Sequence, residues 1–170
     1  MSGRIALVAG ASGMVGSRLV NELCQDGFEV IGLCRRPPSR AKLDAQRSCR
    51  YLSVDLTDAA ACAQLVEAHP GITHVYYTAR HPHTTSAPEP VEINIAMLRN
   101  VLDAAERHAK GLQHVHAVHG GNVYGSTLGP YKTPAQETDP RVLASNFYYG
   151  QEDLLRERQK GKRRSWSASR

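Results

Sequence analysis

The sequence of 170 residues predicts an α/β fold built on one doubly wound parallel sheet. Two observations carry this prediction. Short apolar runs alternate with segments of helical periodicity along the whole chain. The first apolar run, residues 5–9, leads directly into Gly10, Gly13 and Gly16, and glycines at such a strand-to-helix turn are typical of a Rossmann-type domain. We therefore expect the strand order 3-2-1-4-5-6 and right-handed crossovers.

Each glycine of the first turn has an expected role. Gly10 would allow the tight turn, Gly13 would let the backbone approach a pyrophosphate, and Gly16 would let the helix pack closely on the strand. Free N–H groups and the positive end of the helix dipole would then face the phosphates. The alternative is a glycine-rich turn without a ligand. The predicted phosphate-binding residues are Gly10, Ser12, Gly13, Met14, Val15 and Gly16.

The residues after the second strand predict which dinucleotide binds. This strand, residues 29–33, is followed by Arg35 and Arg36, with no carboxylate at its end. NAD-specific sites usually place Asp or Glu there to hold the ribose 2′-hydroxyl. A guanidinium pairs with phosphate through two hydrogen bonds, so NADP(H) is preferred over NAD. An exposed basic loop is the alternative interpretation.

The next stretch, residues 39–50, is polar and is predicted to be a loop or a short helix. A third strand over residues 51–54 follows, and then a helix over residues 59–68. Asp55 and Leu56 come at the carboxyl end of the third strand, where ligands of doubly wound sheets bind. Asp55 is therefore placed to reach an adenine amino group.

A fourth strand over residues 72–79 is expected to end beside the cofactor. A loop and a long amphipathic helix over residues 91–109 follow it. The residues of this part of the chain that we assign to the cofactor site are Thr78, Ala79, Arg80 and Asn94.

Several histidines raise the question of a metal site. His81 and His83 lie in the loop after the fourth strand, without a carboxylate or cysteine nearby to complete a ligand set. His114 and His116 share one face of the fifth strand, and His119 follows it. A hydrogen-bonded strand face is favoured over a zinc site. No metal is predicted.

The end of the chain predicts another helix from about residue 146 and a sixth strand over residues 165–169. The net charge is +5, and much of it lies in the basic run between them. Because that run lacks interleaved aromatic residues, a solvated helix end is favoured and no nucleic-acid partner is expected. The length suits a single domain over residues 1–170.

The sequence also predicts the cellular compartment of the protein. No apolar run approaches the length of a membrane span, and the N-terminus lacks a signal pattern. The four cysteines show no metal-like pairing, so reduced thiols are expected. A cytoplasmic protein without a membrane partner follows by default.

Five motifs give the chain its family resemblance. They are Gly10-x-x-Gly13-x-x-Gly16, Arg35-Arg36-Pro37, Asp55-Leu56-Thr57-Asp58, His74-Val75-Tyr76-Tyr77-Thr78-Ala79-Arg80 and Asn146-Phe147-Tyr148-Tyr149-x-x-Glu152-Asp153. The chain resembles an extended short-chain dehydrogenase/reductase. More narrowly, it is similar to the progesterone 5β-reductase/iridoid synthase-like group. The last motif is the most specific, because common short-chain dehydrogenases carry Tyr-x-x-x-Lys instead.

This resemblance implies an NADPH-dependent oxidoreductase acting on a small molecule, which reduces a carbonyl or a carbon–carbon double bond conjugated to one. A neutral tyrosine hydroxyl would donate a hydrogen bond to the carbonyl oxygen as negative charge develops on it. Tyr148 is the first choice for this role and Tyr149 the second, because the motif does not fix which ring points inward. Two core aromatics at a helix start are the alternative.

The chain departs from the family in two places. Asn122 stands where the family has a lysine. The lysine would orient the ribose and acidify the tyrosine, whereas asparagine brings no charge. Family members also continue for about as many residues again, so the chain resembles the cofactor half, lacking most of the C-terminal substrate domain. The predicted catalytic set is Tyr148, Asn122 and Tyr149.

The sequence leaves three functions open. The first is an NADPH-dependent enone or carbonyl reductase, impaired by truncation and by Asn122. The second is a non-catalytic dinucleotide-binding protein or remnant. The third is an NAD-dependent epimerase/dehydratase, weakened by the absent Tyr-x-x-x-Lys and by Gly120, which stands where a catalytic serine would be expected. An exposed apolar patch beside the late strands is also expected, where a homo-oligomer could form.

Overall fold

The computed structural model describes residues 3–37, 49–84 and 88–170. Within them, six parallel strands form one sheet in the order β3-β2-β1-β4-β5-β6. The predicted doubly wound topology is confirmed. The strands are β1 Ile5–Ala9, β2 Glu29–Cys34, β3 Cys49–Ser53, β4 His74–Tyr77, β5 His114–Val118 and β6 Ser165–Ser169.

Four α-helices and one 3₁₀ turn connect the strands of the described residues. Two helix starts are capped by side chains: Asp58 Oδ1 accepts from Ala61 N at 2.9 Å, and Asn146 Oδ1 accepts from Tyr148 N at 3.0 Å. The helices are α1 Met14–Gln25, α2 Ala59–Glu67, α3 Val91–His108 and α4 Phe147–Gln159, with the 3₁₀ turn at Gly121–Tyr124.

Two predicted boundaries need correction. The third strand was expected to begin at residue 51, but Cys49 and Arg50 already pair with Val30 and Ile31 of β2. These two residues belong to the polar stretch that was predicted as a loop or short helix, and pairing with the buried strand β2 makes them part of β3. The rest of that stretch, residues 39–48, lies outside the described ranges. The fourth strand is shorter than predicted and ends at Tyr77.

The sheet separates two hydrophobic cores, because successive side chains of a strand point to opposite faces. The larger core packs α2, α3 and α4 against one face, and includes Leu7, Val75 and Val115 from the strands. The smaller core packs α1 against the other face, with Ala6 and Val8 of β1. The main core thus lies between the sheet and the three helices α2, α3 and α4.

Beyond α1, the face of the late strands is polar. His114 Nδ1 lies 2.7 Å from Ser165 Oγ, and His116 Nδ1 lies 2.8 Å from Ser167 Oγ. Burial lowers the pKa of both histidines. The predicted hydrogen-bonded strand face is confirmed. Among the described residues after β4, the exposed large apolar side chains are Ile93 on α3 and Leu128, Tyr131 and Leu143 in the segment before α4.

The basic run near the C-terminus differs from the prediction of a solvated helix end. Arg164 and Lys162 both bond the carboxylate of Glu106 on α3, and Arg158 pairs with Glu106 and Asp103. Burial alone would raise the pKa of Glu106, but the hydrogen bond from Lys162 and the charge of Arg164 lower it overall. These cations pair with the half-buried carboxylate of Glu106, and the ion pairs hold the end of α4 against α3.

No helix among the described residues has both the length and the apolar character needed to cross a bilayer.

Candidate functional site

The turn after β1 brings the backbone of two strands and a helix together. Gly10 has a φ of +84°, and a Cβ built on it would lie 2.8 Å from the backbone N of Ala79. A Cβ on Gly16 would lie 2.2 Å from the carbonyl oxygen of Gly10. Neither space admits a side chain, so α1 starts directly against the ends of β1 and β4. This geometry matches the turn and packing roles expected of the two glycines.

The start of α1 is open to an anion. Its N-cap is Gly13, which offers no side-chain cap, and its first turn carries no acidic residue. The first N–H groups of a helix have no intrahelical partner, and the helix dipole adds partial positive charge there. Met14, in the first turn, is 88% exposed. A phosphate is the group that this terminus suits best.

A cavity of about 350 Å³ lies in front of this turn, at the carboxyl ends of β1, β2 and β4. Its size falls within the range of small-molecule sites. Predicted cofactor residues form much of its wall: Gly10, Ser12, Gly13, Arg35, Asp55, Leu56, Thr78, Ala79 and Arg80.

The remaining predicted cofactor residues, all within the described ranges, lie outside the cavity wall. Arg36 is exposed beside Arg35. Asn94 is completely buried; its Oδ1 accepts from His81 N at 2.8 Å and its Nδ2 donates to Pro90 O at 2.9 Å. Asn94 therefore supports the wall through His81. Those that do not line the cavity are Met14, Val15, Gly16, Arg36 and Asn94.

Other lining residues were not assigned to the site from the sequence. Some directly neighbour assigned positions, so the rule that ligands bind at strand ends could have included them. Met97 comes from the middle of α3, and only the packing of α3 beneath the sheet brings it to the wall. These residues are Leu33, Cys34, Val54, Thr57, His81, Pro82 and Met97.

Asp55 is held as a carboxylate at the far side of the cavity. Its Oδ1 accepts from the backbone N of Thr57 at 2.9 Å and from the Thr57 hydroxyl at 2.8 Å. These hydrogen bonds, with a smaller contribution from the charge of Arg35, lower the pKa of Asp55. An ionised carboxylate can accept a hydrogen bond from an amino group, and the nearby guanidinium can bind a phosphate.

Arg80 connects this cavity to the start of α4. Its guanidinium binds both carboxylate oxygens of Glu89, at 3.0 and 2.9 Å from Nη2. It also lies over the ring of Phe147, 5.9 Å from the centroid. The neighbour of Phe147 on α4 is Tyr148, so the cavity wall and the tyrosine motif share this contact.

The two tyrosines of the motif have different surroundings. The Tyr149 hydroxyl donates to Val123 O at 2.6 Å and accepts from Val142 N at 2.9 Å. The Tyr148 hydroxyl instead faces the backbone of Gly120, where a Cβ would lie 3.2 Å from it. Burial raises the pKa of Tyr148 above its ordinary value. The Tyr149 hydroxyl is therefore occupied by the backbone of the segment between β5 and α4, whereas the Tyr148 hydroxyl faces the end of β5.

Asn122 is also engaged locally. Its Oδ1 accepts from the Thr127 hydroxyl at 2.6 Å, and its carbonyl oxygen accepts from Asn146 Nδ2 at 2.7 Å. Through these bonds the 3₁₀ turn is tied to the following loop and to the cap of α4. At the position where the resemblance implies a lysine, the side chain of Asn122 is therefore occupied by the neighbouring Thr127 hydroxyl.

His119, which was not assigned to this site from the sequence, packs beside Tyr148. It is 6% exposed, and its ring centroid lies 4.7 Å from that of Tyr148. Neither ring nitrogen has a hydrogen-bond partner among the described residues. Burial is the main cause that lowers its pKa to about 4, so the ring is neutral near pH 7. Only the tertiary structure, which sets α4 against the end of β5, reveals this pair.

The strand order and the glycine turn together define a Rossmann-type domain. The chain belongs to the NAD dependent epimerase/dehydratase family, whose sequence model matches residues 6–159.

Curated relatives agree with the narrower resemblance of the motifs. The (S)-8-oxocitronellyl enol synthase ISY2 of Nepeta cataria is 32% identical over 178 residues, which cover 98% of this chain and 44% of that protein. The 3-oxo-Delta(4,5)-steroid 5-beta-reductase of Arabidopsis thaliana is 34% identical over 164 residues, which cover 89% of this chain and 41% of that protein. The chain thus spans less than half the length of these relatives.

Solved structures share the fold at lower identity. The Bordetella bronchiseptica enzyme WbmH, solved in complex with NAD+, superposes with a TM-score of 0.75 at 18% identity, covering 98% of this chain and 55% of that one. Yeast methylglyoxal/isovaleraldehyde reductase Gre2, complexed with NADPH, gives 0.74 at 16% identity, with coverage of 96% and 56%.

Proposed function

We propose that this domain binds NADPH in the cavity beside the glycine turn and reduces an activated C=C bond or a carbonyl of a small molecule. The observation that carries the proposal is the cavity itself, because it joins the open start of α1 to Arg35 and Asp55 at the strand ends. Its relatives include a steroid 5-beta-reductase, and its structural neighbours hold NAD+ or NADPH.

The residues present fit a dinucleotide. The pyrophosphate would lie at the start of α1, where the N–H groups are free of side-chain caps. The adenine amino group would donate to Asp55, and the 2′-phosphate would pair with Arg35. A 2′-phosphate distinguishes NADPH from NADH, so Arg35 supports the choice of NADPH.

A nicotinamide, when bound, supplies the hydride. The protein must then stabilise the negative charge that develops on the carbonyl oxygen of the substrate. Tyr148 is the proposed donor, because its hydroxyl faces Gly120 while that of Tyr149 is used by the loop backbone. A raised pKa keeps the Tyr148 hydroxyl protonated near neutral pH, so that it can donate without a lysine beside it.

The test is NADPH consumption by the purified protein with a panel of small cyclic enones and aldehydes. We expect slow turnover of at least one enone, and a fall of about 10²- to 10³-fold in Tyr148→Phe, because one donor to the developing oxyanion is lost. Tyr131→Phe, which alters an exposed loop tyrosine, is the matched control. Equal rates for the Tyr148→Phe and unaltered proteins would contradict the assignment.

A non-catalytic dinucleotide-binding protein is the second candidate. It is favoured by Asn122, whose side chain accepts a hydrogen bond from Thr127 at the position where the resemblance implies a lysine. Under this reading NADPH binds but no member of the panel is reduced. An epimerase or dehydratase is the third candidate, and it predicts conversion of a sugar nucleotide without net consumption of cofactor.

A further inference from the structure

His119 occupies a position that its own hydrogen bonds do not explain. It follows β5 directly, and its backbone N–H donates to the carbonyl oxygen of Ser169 at 2.8 Å. The main chain is therefore fixed at the end of the β5–β6 pair. The side chain is buried, yet neither ring nitrogen has a partner within the described part of the chain. A buried polar group without a partner costs free energy, so the ring must be held by packing.

The main packing partner on the ring face is Tyr148. The two ring planes are tilted by 36° with centroids 4.7 Å apart, and the ring of Phe147 lies 4.1 Å from that of Tyr148. Gly120 leaves room for the phenol oxygen, since a Cβ there would lie only 3.2 Å from it. His119, Phe147 and Gly120 thus form a slot that sets the direction of the Tyr148 hydroxyl.

Charges do not hold the phenol in this slot. Besides His119, the ionisable side chains that face Tyr148 are Arg80 and Glu89, which act on it in opposite senses and bind each other at 2.9 Å. Asn122 contributes no charge and bonds Thr127 instead. The orientation of the hydroxyl therefore depends on the walls of the slot.

The charges around His119 likewise oppose each other. Glu152 of α4 and Arg170 after β6 face it with opposite effects, and they pair with each other at 2.7 Å. His116 of β5 and Tyr148 are the other ionisable neighbours. The imidazole therefore presents a neutral aromatic wall to Tyr148 at ordinary pH.

We propose that His119 is a positioning residue, whose ring holds the phenol of Tyr148 over Gly120 in the direction needed to donate to the substrate oxygen. This inference rests on the proposed reductase function, because Tyr148 is the group through which His119 acts. It does not require His119 to touch the substrate, and its ring nitrogens are enclosed by protein.

Two substitutions distinguish the effect of the aromatic ring of His119 from the effect of its nitrogens. His119→Ala removes the wall, so the phenol gains freedom and water enters. The kcat is expected to fall by about 10²-fold, as for other displacements of a catalytic group, with KM and NADPH affinity little changed. His119→Phe keeps an aromatic wall and removes two unpartnered nitrogens, so it should retain most of kcat and melt at a higher temperature.

A second readout does not depend on turnover. Burial raises the pKa of Tyr148, so opening the slot by His119→Ala should lower that pKa toward its ordinary value. Tyrosinate absorbance follows the titration, and the same titration with Tyr148→Phe added to each background identifies the Tyr148 contribution. The alkaline limb of the kcat profile should move to lower pH in His119→Ala and stay in place in His119→Phe.

The outcomes are distinct. Unchanged kcat and unchanged Tyr148 titration in a folded His119→Ala protein would overturn the proposal. A folded His119→Phe protein as slow as His119→Ala would also overturn it, since the nitrogens rather than the ring would then matter. If the unaltered protein reduces no substrate while His119→Ala still shifts the titration, the proposed function fails and the packing of Tyr148 by His119 is supported.

Discussion

The cavity beside β1 and the slot around Tyr148 are built by different means. The cavity is shaped by backbone, because Gly10 and Gly16 bring β1, β4 and α1 within distances that exclude a Cβ. The slot is shaped by side chains, with His119 and Phe147 packed on the phenol. The first region offers charge and free N–H groups to a ligand, whereas the second offers a neutral donor in an aromatic setting.

The difference bears on how each region tolerates change. A backbone site depends on residues that lack side chains, so a single added methyl group disrupts it. A side-chain slot can exchange one ring for another of similar size at small cost. We therefore expect substitutions at the cavity to act on folding and binding, and substitutions at the slot to act on turnover.

The largest effect is expected at Gly16. In Gly16→Ala the new Cβ would meet the carbonyl oxygen of Gly10, which is backbone and cannot swing away. Stability should fall by at least the upper end of the usual overpacking cost of about 1–3 kcal/mol, and NADPH binding should be lost. Gly111→Ala is the control, because a Cβ there meets nothing within 4 Å. Chemical denaturation measures the stability of both variants, and equal midpoints for Gly16→Ala and Gly111→Ala would refute the role of Gly16.

Tyr149 should matter for stability rather than for turnover. Tyr149→Phe leaves Val123 O and Val142 N without their partner, so we expect a loss of about 1–3 kcal/mol in the free energy of unfolding. The Tyr148 hydroxyl faces Gly120 instead, so Tyr148→Phe should lower the free energy of unfolding much less. The same denaturation experiment compares the two proteins, and the opposite ranking would reverse the roles given to the tyrosines.

The preference for NADPH should depend on Arg35 more than on Arg36. Arg35 lines the cavity and Arg36 is exposed beside it. A charge-assisted contact with the 2′-phosphate contributes about 1.5–3 kcal/mol, so Arg35→Ala should weaken NADPH binding by at least about tenfold while NADH binding is little changed. Arg36→Ala is the matched control. Calorimetry would contradict this prediction if both variants lost the same affinity.

The pH dependence of stability offers a finer comparison. His119 has its pKa lowered to about 4 by burial, against 6.5 for the ordinary residue. The unfolded chain therefore binds a proton more readily, and this part of the stability is lost as pH falls from 6.5 toward 4. His119→Phe should reduce that loss. Thermal melts at pH 7 and pH 5 test it, and an equal drop in both proteins would show that His119 does not titrate as described.

The smallest effect is expected for Asn122→Lys. A lysine there would supply the positive charge that the resemblance implies near the tyrosine, and should raise turnover. The rise should be smaller than the loss in Tyr148→Phe, because the bond from Thr127 to Asn122 must first be broken. Steady-state rates with one enone measure both changes. A lysine variant that is folded but slower would show that position 122 does not face the tyrosine.

The sequence predicted the cavity better than the slot for a physical reason. The glycine turn, Arg35 and Asp55 are each specified by local spacing relative to a strand end, and parallel strands bring their carboxyl ends to one edge. His119 and Met97 reach their places only through the packing of helices on the sheet. The choice between Tyr148 and Tyr149 also required the loop that supplies Val123 and Val142. Non-local contacts of this kind leave no periodic trace in the chain.

The same limit applies to Arg36 and Asn94. Both satisfy the sequence rule of lying near a strand end or a helix start close to the predicted cofactor. Arg36 does not line the cavity, and Asn94 is used internally by His81 and Pro90. The oligomeric state, which we expected to involve the late strands, stays a prediction that sedimentation can test.

The central claim is that the cavity beside β1 is an NADPH site. Calorimetric titration of NADPH and of NADH into the unaltered protein tests it most directly, because it needs no substrate and no turnover. We predict one NADPH bound per chain, with an affinity for NADPH at least about tenfold higher than for NADH, since the 2′-phosphate adds a charge-assisted contact to Arg35. Equal affinities, or no binding of either dinucleotide by the folded protein, would contradict the claim.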